Sequence, residues 1–337
     1  MTEMTEGFPY RDGNALWAAA RAHAKTESMT SGVPVEAVIR RFVVDRFLAR
    51  VFVSPSARWV LEGGNAVLVR VHDARTTKDV DLLAELADPE DAVSALRAAV
   101  AIDLGDHFRF AVTGVRAASG GVLQPGIAGC KVSLDAYCGV TRRHSFSVDV
   151  VTGSLMTASP EVRTRPGLVP AVPPTRVSLY PVVDHIADKL CATQSMYGSA
   201  GDQSSTRVRD LVDLVVLART QHVNGIELSQ AIAAEWEHRG LSGAPFFAPP
   251  KSWDRLYPPV ARRVPACGDF LTFDAAVELT TAFLDPVDDP LGDLVGRYAR
   301  THGPFTAAEA GAALGLGGAR AAGGGRRHDA PPRRRRG

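Results

Sequence analysis

"LEGGNAVLVRVHDARTTKDVDLL", residues 61–83, decides how this chain is read. The apolar run "RWVLEGG" reads as a short strand ending at Gly63–Gly64, and "NAVLVRVHDA" as the helix after it. "TKDVDLLAEL" then opens as a second strand, with Val80 and Leu82 alternating with Asp79 and Asp81. Side chains alternate along a strand, so the two aspartates are expected on one exposed face, roughly 7 Å apart. Two carboxylates so placed repel each other unless a cation lies between them. Hard divalent cations such as Mg²⁺ or Mn²⁺ take oxygen ligands of this kind, shared with substrate phosphates. A glycine turn between strand and helix offers unhindered N–H groups and a helix N-terminus, both suited to phosphate. Glycine turn and Asp-x-Asp together therefore point to phosphoryl or nucleotidyl transfer; either one alone does not.

Outward from this stretch, "PVEAVIRRFVVDRFLARVFV" (Pro34 to Val53) has apolar residues at helical spacing with Pro at its start. "DPEDAVSALRAAVAI" is a helix with an acidic first turn. "FRFAVTGVRAAS", "KVSLDAYCGV" and "HSFSVDVVTG" read as strands, the last two as a hairpin across Arg142 and Arg143. The Pro-rich run Arg165 to Pro181 reads as a connection. The pattern then turns helical: "VVDHIADKLCATQSM", "TRVRDLVDLVVLART", "ELSQAIAAEWEHR" and "FDAAVELTTAFLDPV". This order predicts an α+β chain, a mixed α/β lobe followed by a mainly helical lobe, with a cleft between. The expected domains are 1–175, 176–299 and a tail, 300–337.

The 337 residues carry a net charge of +1, but residues 320–337 hold seven Arg and one Asp, leaving −5 for residues 1–319. No globally basic surface marks a nucleic-acid binder. The Gly/Arg-rich tail cannot bury apolar area and is expected to be disordered. No run of 18 or more apolar residues occurs, and "MTEMTEGFPYRDG" has no apolar segment of a secretory signal, so a cytoplasmic protein is expected. Cys130, Cys138, Cys191 and Cys267 fit no zinc pattern, and the histidines show no metal-ligand spacing. "THGPFTAAEAGAALGLG" (Thr301 to Gly317) is like the first helix of a helix-turn-helix unit, followed by low-complexity sequence.

The stretch "VLEGGNAVLVR…ARTTKDVDLL" resembles the first motif of the AbiEii/AbiGii-type nucleotidyltransferase toxins, in the DNA-polymerase-β-like superfamily. Within that group the chain is most similar to the MenT-type toxins of mycobacteria, which add nucleotides to the 3′ end of tRNA. The similarity continues through "HSFSVDVVTG", "YPVVDHIADKLCA" and "RVRDLVDLVVL", four motifs in order between about Val38 and Leu217. Asn65 stands where many relatives have Ser or Thr.

The resemblance implies a polymerase-β-like nucleotidyltransferase lobe. Its metal-binding carboxylates would be Asp79, Asp81 and Asp149, with Lys189 and Asp210 also catalytic. Nucleotide contacts would come from Gly63, Gly64, Asn65, Arg75, Lys78, Lys189 and Arg207. Asp135 also alternates outward and rivals Asp149; Asp213 lies one helical turn from Asp210. The implied activity is Mg²⁺-dependent transfer of NMP from a pyrimidine NTP to the 3′ end of tRNA, blocking aminoacylation and translation. The implied partners are an NTP, tRNA and a cognate antitoxin, with no membrane. A path for RNA is expected among Arg70, Arg75, Lys78, Arg142, Arg143, Arg207 and Arg209, with the Arg142–Arg143 hairpin tip projecting most. Transfer to a small molecule or a protein hydroxyl remains open, as does a DNA-binding regulator using Thr301–Gly317.

Overall fold

The computed structural model describes residues 8–54, 58–117, 127–170, 172–195 and 204–288. The chain divides into two compact units, Met1–Thr281 and Ala282–Gly337. Thr301–Gly317 and the Arg-rich tail lie outside the described residues.

Seven strands form one mixed sheet: β1 Trp59–Glu62, β2 Val80–Ala84, β3 Phe108–Ala117, β4 Ala128–Cys138, β5 Thr141–Thr152, β6 Glu161–Arg165 and β7 Thr175–Leu179. Their spatial order is β3-β4-β5-β2-β1-β7-β6. β2 runs parallel to β5 and β1 parallel to β7, while the other neighbours are antiparallel. Two of these strands, β6 and β7, flank and enter the Pro-rich run that reads as a connection. Both are five residues long, and the prolines around β7 mask its alternation.

The helices are α1 Gly13–Ser31, α2 Val35–Val53, α3 Gly63–Arg70, α4 Pro89–Val100, α5 Val182–Gln194, α6 Val208–Thr220, α7 Gly225–His238, α8 Tyr257–Ala261 and α9 Phe273–Asp288. Helix α1 starts at Asp12, whose carboxylate accepts from the Ala15 N–H at 2.8 Å. Helices α2 and α4 cover one sheet face. The core there joins Phe42 and Phe47 of α2 to Leu61, Leu82, Val148 and Val150. Phe47 meets Phe110 and Phe146 edge-to-face, at 5.8 and 5.3 Å between ring centroids. Each such fully buried side chain contributes about 1.5–3 kcal/mol. A second core joins α3 to α6 and α8 through Val67, Val71, Leu211, Val215, Trp253 and Tyr257.

Alternation now assigns the opposite sheet face. Since Leu61, Val80, Leu82, Val148 and Val150 point into the first core, Glu62, Asp81 and Asp149 point the other way. Asp79 differs from expectation: it lies in the bend before β2, not in the strand. The β4–β5 turn is Gly139–Val140, with Gly139 at φ +60°, so Arg142 and Arg143 lie within β5 and not at the hairpin tip. The turn glycine takes the left-handed backbone that the arginines would resist.

Candidate functional site

Register builds the site. Glu62 on β1 pairs with Asp81 on β2, Asp81 with Asp149 on β5, and Asp149 with Lys131 on β4. Four adjacent strands therefore carry a rank of three carboxyls and one ammonium on one face. Beside it opens a cleft of about 230 Å³, lined among others by Gly63, Gly64, Arg75, Asp81, Asp149, Lys189, Arg207 and Asp210.

Gly63 begins α3 at φ +59°, and a Cβ on it would lie 2.0 Å from Asp81 Oδ2. Glycine is therefore required both for the turn and for the approach of the carboxylate. Asp81 is half-buried rather than exposed. Burial, with Asp149 and Asp79 nearby, pushes its carboxyl up to about 6 against the pull of Lys189 and Arg75. Asp79 stays more open. Its Oδ1 accepts from the Ser147 hydroxyl at 2.5 Å and lies 3.6 Å from Lys131 Nζ. The same ammonium donates to Asp149 Oδ2 at 3.0 Å.

The cationic wall comes from α5, the start of α6 and the segment between α3 and β2. Lys189, 2% exposed, donates to Asp210 Oδ1 at 3.1 Å and Asp213 Oδ2 at 2.7 Å. Arg75 grips Asp213 with two bonds of 2.8 Å. Burial alone would raise the Asp213 carboxyl, but Lys189 and Arg75 hold it down at about 2. Arg207 Nε lies 2.7 Å from Asp210 Oδ2, and its side chain is the most open of the three cations at 42%.

Not every expected residue joins the cleft. Asn65 is buried and donates to the Asp79 carbonyl at 2.8 Å, fastening α3 to the start of β2. Lys78 is exposed and does not line the cleft. Asp135 accepts from Ser145 at 2.5 Å and Arg142 at 3.3 Å, further along β4, while Asp149 sits beside Asp81. Arg143 lies over the Trp17 ring at 4.9 Å and donates to Asn14 at 2.7 Å. Arg70 is tied to Glu161 and the Tyr180 carbonyl, its side chain 1% exposed. Neither of these arginines is an open path for RNA.

Sequence reasoning passed over Glu62, Lys131, Tyr180, His185, Asp188 and Glu235, of which all but Lys131 line the cleft. Glu62 carried a readable signal: it shares a face with Val60 and directly precedes the glycines. The others depend on long-range pairing.

The donor set suits a hard cation. Asp79, Asp81 and Asp149 supply carboxylate oxygens, and burial together with the nearby Asp149 raises the Asp81 carboxyl, a strain that a bound cation would relieve. Among the described residues no three such side chains already converge on one point, and Lys131 lies between Asp79 and Asp149.

The family profile described as "Nucleotidyl transferase AbiEii toxin, Type IV TA system" matches residues 46–290. Among solved structures, the MenT4 nucleotidyltransferase toxin of Mycobacterium tuberculosis H37Rv is similar in fold. It has 15% identity and a TM-score of 0.52, over 88% of this chain and 98% of that one. JHP933 of Helicobacter pylori has 11% identity and a TM-score of 0.42, over 78% of this chain and 98% of that one. A stretch of 41 residues is 56% identical to part of an Lhr helicase of Mycolicibacterium smegmatis; it spans 12% of this chain and 3% of that protein's length. Among the described residues no helix is long and apolar enough to cross a membrane.

Proposed function

The chain belongs to the AbiEii family of nucleotidyl transferase toxins of type IV toxin–antitoxin systems, and we propose that it transfers NMP from a pyrimidine NTP to the 3′ end of tRNA. The observation that carries the transfer chemistry is the rank Asp81–Asp149 set against the Gly63–Gly64 turn, within one cleft. The acceptor and the base rest on the resemblance of the four motifs to the MenT-type toxins. A 3′ end blocked in this way would not be aminoacylated, so translation would stop. A cognate antitoxin is the expected partner.

Asp79, Asp81 and Asp149 would hold Mg²⁺, or Mn²⁺ in its place. That ion, when bound, supplies charge to the triphosphate and acidity to the attacking hydroxyl. The Gly63–Gly64 turn offers N–H groups of the α3 N-terminus to phosphate oxygens. Arg207, the most open cation of the lining, meets the triphosphate. Lys189 and Arg75 hold the cleft wall in place through Asp210 and Asp213, and add positive potential behind it. Asp149 takes the proton of the attacking 3′-hydroxyl. The new bond joins that oxygen to the α-phosphorus, and pyrophosphate leaves.

Purified protein incubated with each labelled NTP, Mg²⁺ and total RNA tests the reading. Label on tRNA supports it. Label on protein or on small molecules would replace the acceptor, and no label anywhere would remove the donor reading as well.

A further inference from the structure

The transfer chemistry leaves part of the cleft lining without a task. His185 lies on α5 one turn before Lys189, lines the cleft and is 1% exposed. Neither Nδ1 nor Nε2 has a hydrogen-bond partner. Glu62 lines the same cleft, and its Oε1 is buried and likewise unpartnered. Native structures leave few buried polar atoms unpaired, and two residues doing so in one cleft indicate an absent partner. The Tyr180 ring stands edge-on to His185 at 6.0 Å, its hydroxyl fixed on the Leu155 carbonyl. Val151 and Leu155 add apolar lining.

We propose that His185 and Glu62 read the nucleobase of the incoming NTP, hydrogen-bonding its polar edge while Tyr180, Leu155 and Val151 supply the apolar walls. The inference rests on the NTP-donor reading and adds the residues that select among NTPs. Charge decides which part of the nucleotide lies here. Burial, with Lys189 and Arg70 near, holds the His185 imidazole well below its usual range, so it is neutral. Glu62 faces Asp81 across the β1–β2 pair and lies near Asp188 and Glu235, so its surroundings are anionic. The imidazole offers one donor and one acceptor, and the unpartnered Glu62 oxygen adds one more hydrogen-bonding site. A phosphate beside Glu62 would meet Asp81, Asp188 and Glu235, whereas a base carries no charge and presents donors and acceptors in alternation.

The test is equilibrium binding of ATP, GTP, CTP and UTP, and of their 2′-deoxy counterparts, to the full chain with Mg²⁺ and no acceptor. His185→Phe keeps a ring without nitrogens; Glu62→Leu removes the carboxyl; Glu62→Gln keeps its shape and a polar end. Thermal melting reports folding. The wild type is expected to favour one base class, and His185→Phe and Glu62→Leu to shrink the best-to-worst ratio by roughly ten-fold, the net worth of about one hydrogen bond expressed as a ratio. Glu62→Gln is expected to retain most of the ratio, and discrimination against 2′-deoxy nucleotides to stay as in wild type. Unchanged base ratios in the folded variants overturn the proposal, as does loss of ribose discrimination with base ratios intact. Should Phe or Leu prevent folding, His185→Asn must reorder the four affinities, and an unchanged order overturns the proposal equally. Wild-type binding that is equal for all four bases sinks the subsite and leaves the donor reading standing. No NTP binding at all sinks the donor reading itself.

Discussion

A side chain at Gly63 would occupy the place of the Asp81 carboxylate: its Cβ would lie 2.0 Å from Asp81 Oδ2. The turn and the carboxylate are thus one steric unit. We predict that Gly63→Ala destabilises by about 1–3 kcal/mol, through a positive-φ position and a displaced Asp81. It should also remove nucleotidyl transfer. Gly64→Ala is the comparison: its Cβ would meet Arg75 and Thr77 side-chain atoms at 3.0–3.2 Å. At that distance the neighbours need give only a few tenths of an ångström, at a φ that is not left-handed, so Gly64→Ala should keep measurable activity. Equal loss in both, by urea titration and transfer assay, would refute the steric coupling.

Asp81→Asn and Asp149→Asn should each lower transfer by three or more orders of magnitude, ~4 kcal/mol of barrier, while the fold persists. The two face one another across the parallel β2–β5 pair, so replacing either relieves repulsion between like charges. Melting temperatures at or above wild type are therefore expected alongside the lost activity. Near wild-type transfer by either variant contradicts the assignment.

The Asp213 carboxylate makes stability depend on acid. It is fully buried between Lys189 and Arg75 and held at about 2, below its ordinary 3.8. A depressed carboxyl stabilises the fold above its unfolded value, and that contribution is lost as pH falls from about 4 towards 2. Its size is on the order of 2 kcal/mol. Asp213→Asn should melt well below wild type at pH 7, with the gap narrowing between pH 4 and pH 2. A gap that does not change with pH would show that the variant loses packing and not charge pairing. Lys189→Ala should mainly destabilise as well, since it leaves Asp210 and Asp213 buried with one cation fewer.

The parts of this fold legible in the sequence are those set by local pattern. The apolar spacing of Pro34–Val53 becomes α2, and the strand–glycine–helix–strand reading of residues 59–84 becomes β1, α3 and β2. The motif helices become α5 and α6. Local pattern misled where a neighbour distant in sequence decides. Arg143 looks like a hairpin tip until Gly139 makes the turn earlier and Trp17, far away in the chain, covers its guanidinium. Asn65 looks like a phosphate ligand until the Asp79 carbonyl claims its amide. His185 has no spacing partner in the sequence, yet α5 places it on the same face as Lys189 and beside Tyr180. Lys131 and Glu62 join the carboxylates through strand register, which no single stretch reveals.

Lys131 bridges two of the carboxylates proposed to hold the metal. Its ammonium lies 3.0 Å from Asp149 Oδ2 and 3.6 Å from Asp79 Oδ1, on the very oxygens proposed to hold Mg²⁺. The ammonium and a divalent ion compete for those lone pairs, so the lysine must shift for the ion to bind. The pair is exposed, with the Lys131 side chain 45% accessible, and such pairs are worth about 0.2–1 kcal/mol. Lys131→Ala should therefore lower the Mg²⁺ concentration giving half-maximal transfer by up to roughly five-fold, the same energy expressed as a ratio. If the displaced ammonium moves onto the triphosphate instead, the variant will show a higher KM for NTP beside the lower Mg²⁺ requirement. The two effects separate when Mg²⁺ is titrated at saturating NTP and NTP is titrated at saturating Mg²⁺. An unchanged or higher Mg²⁺ requirement at saturating NTP would mean that Lys131 does not share its carboxylates with the ion.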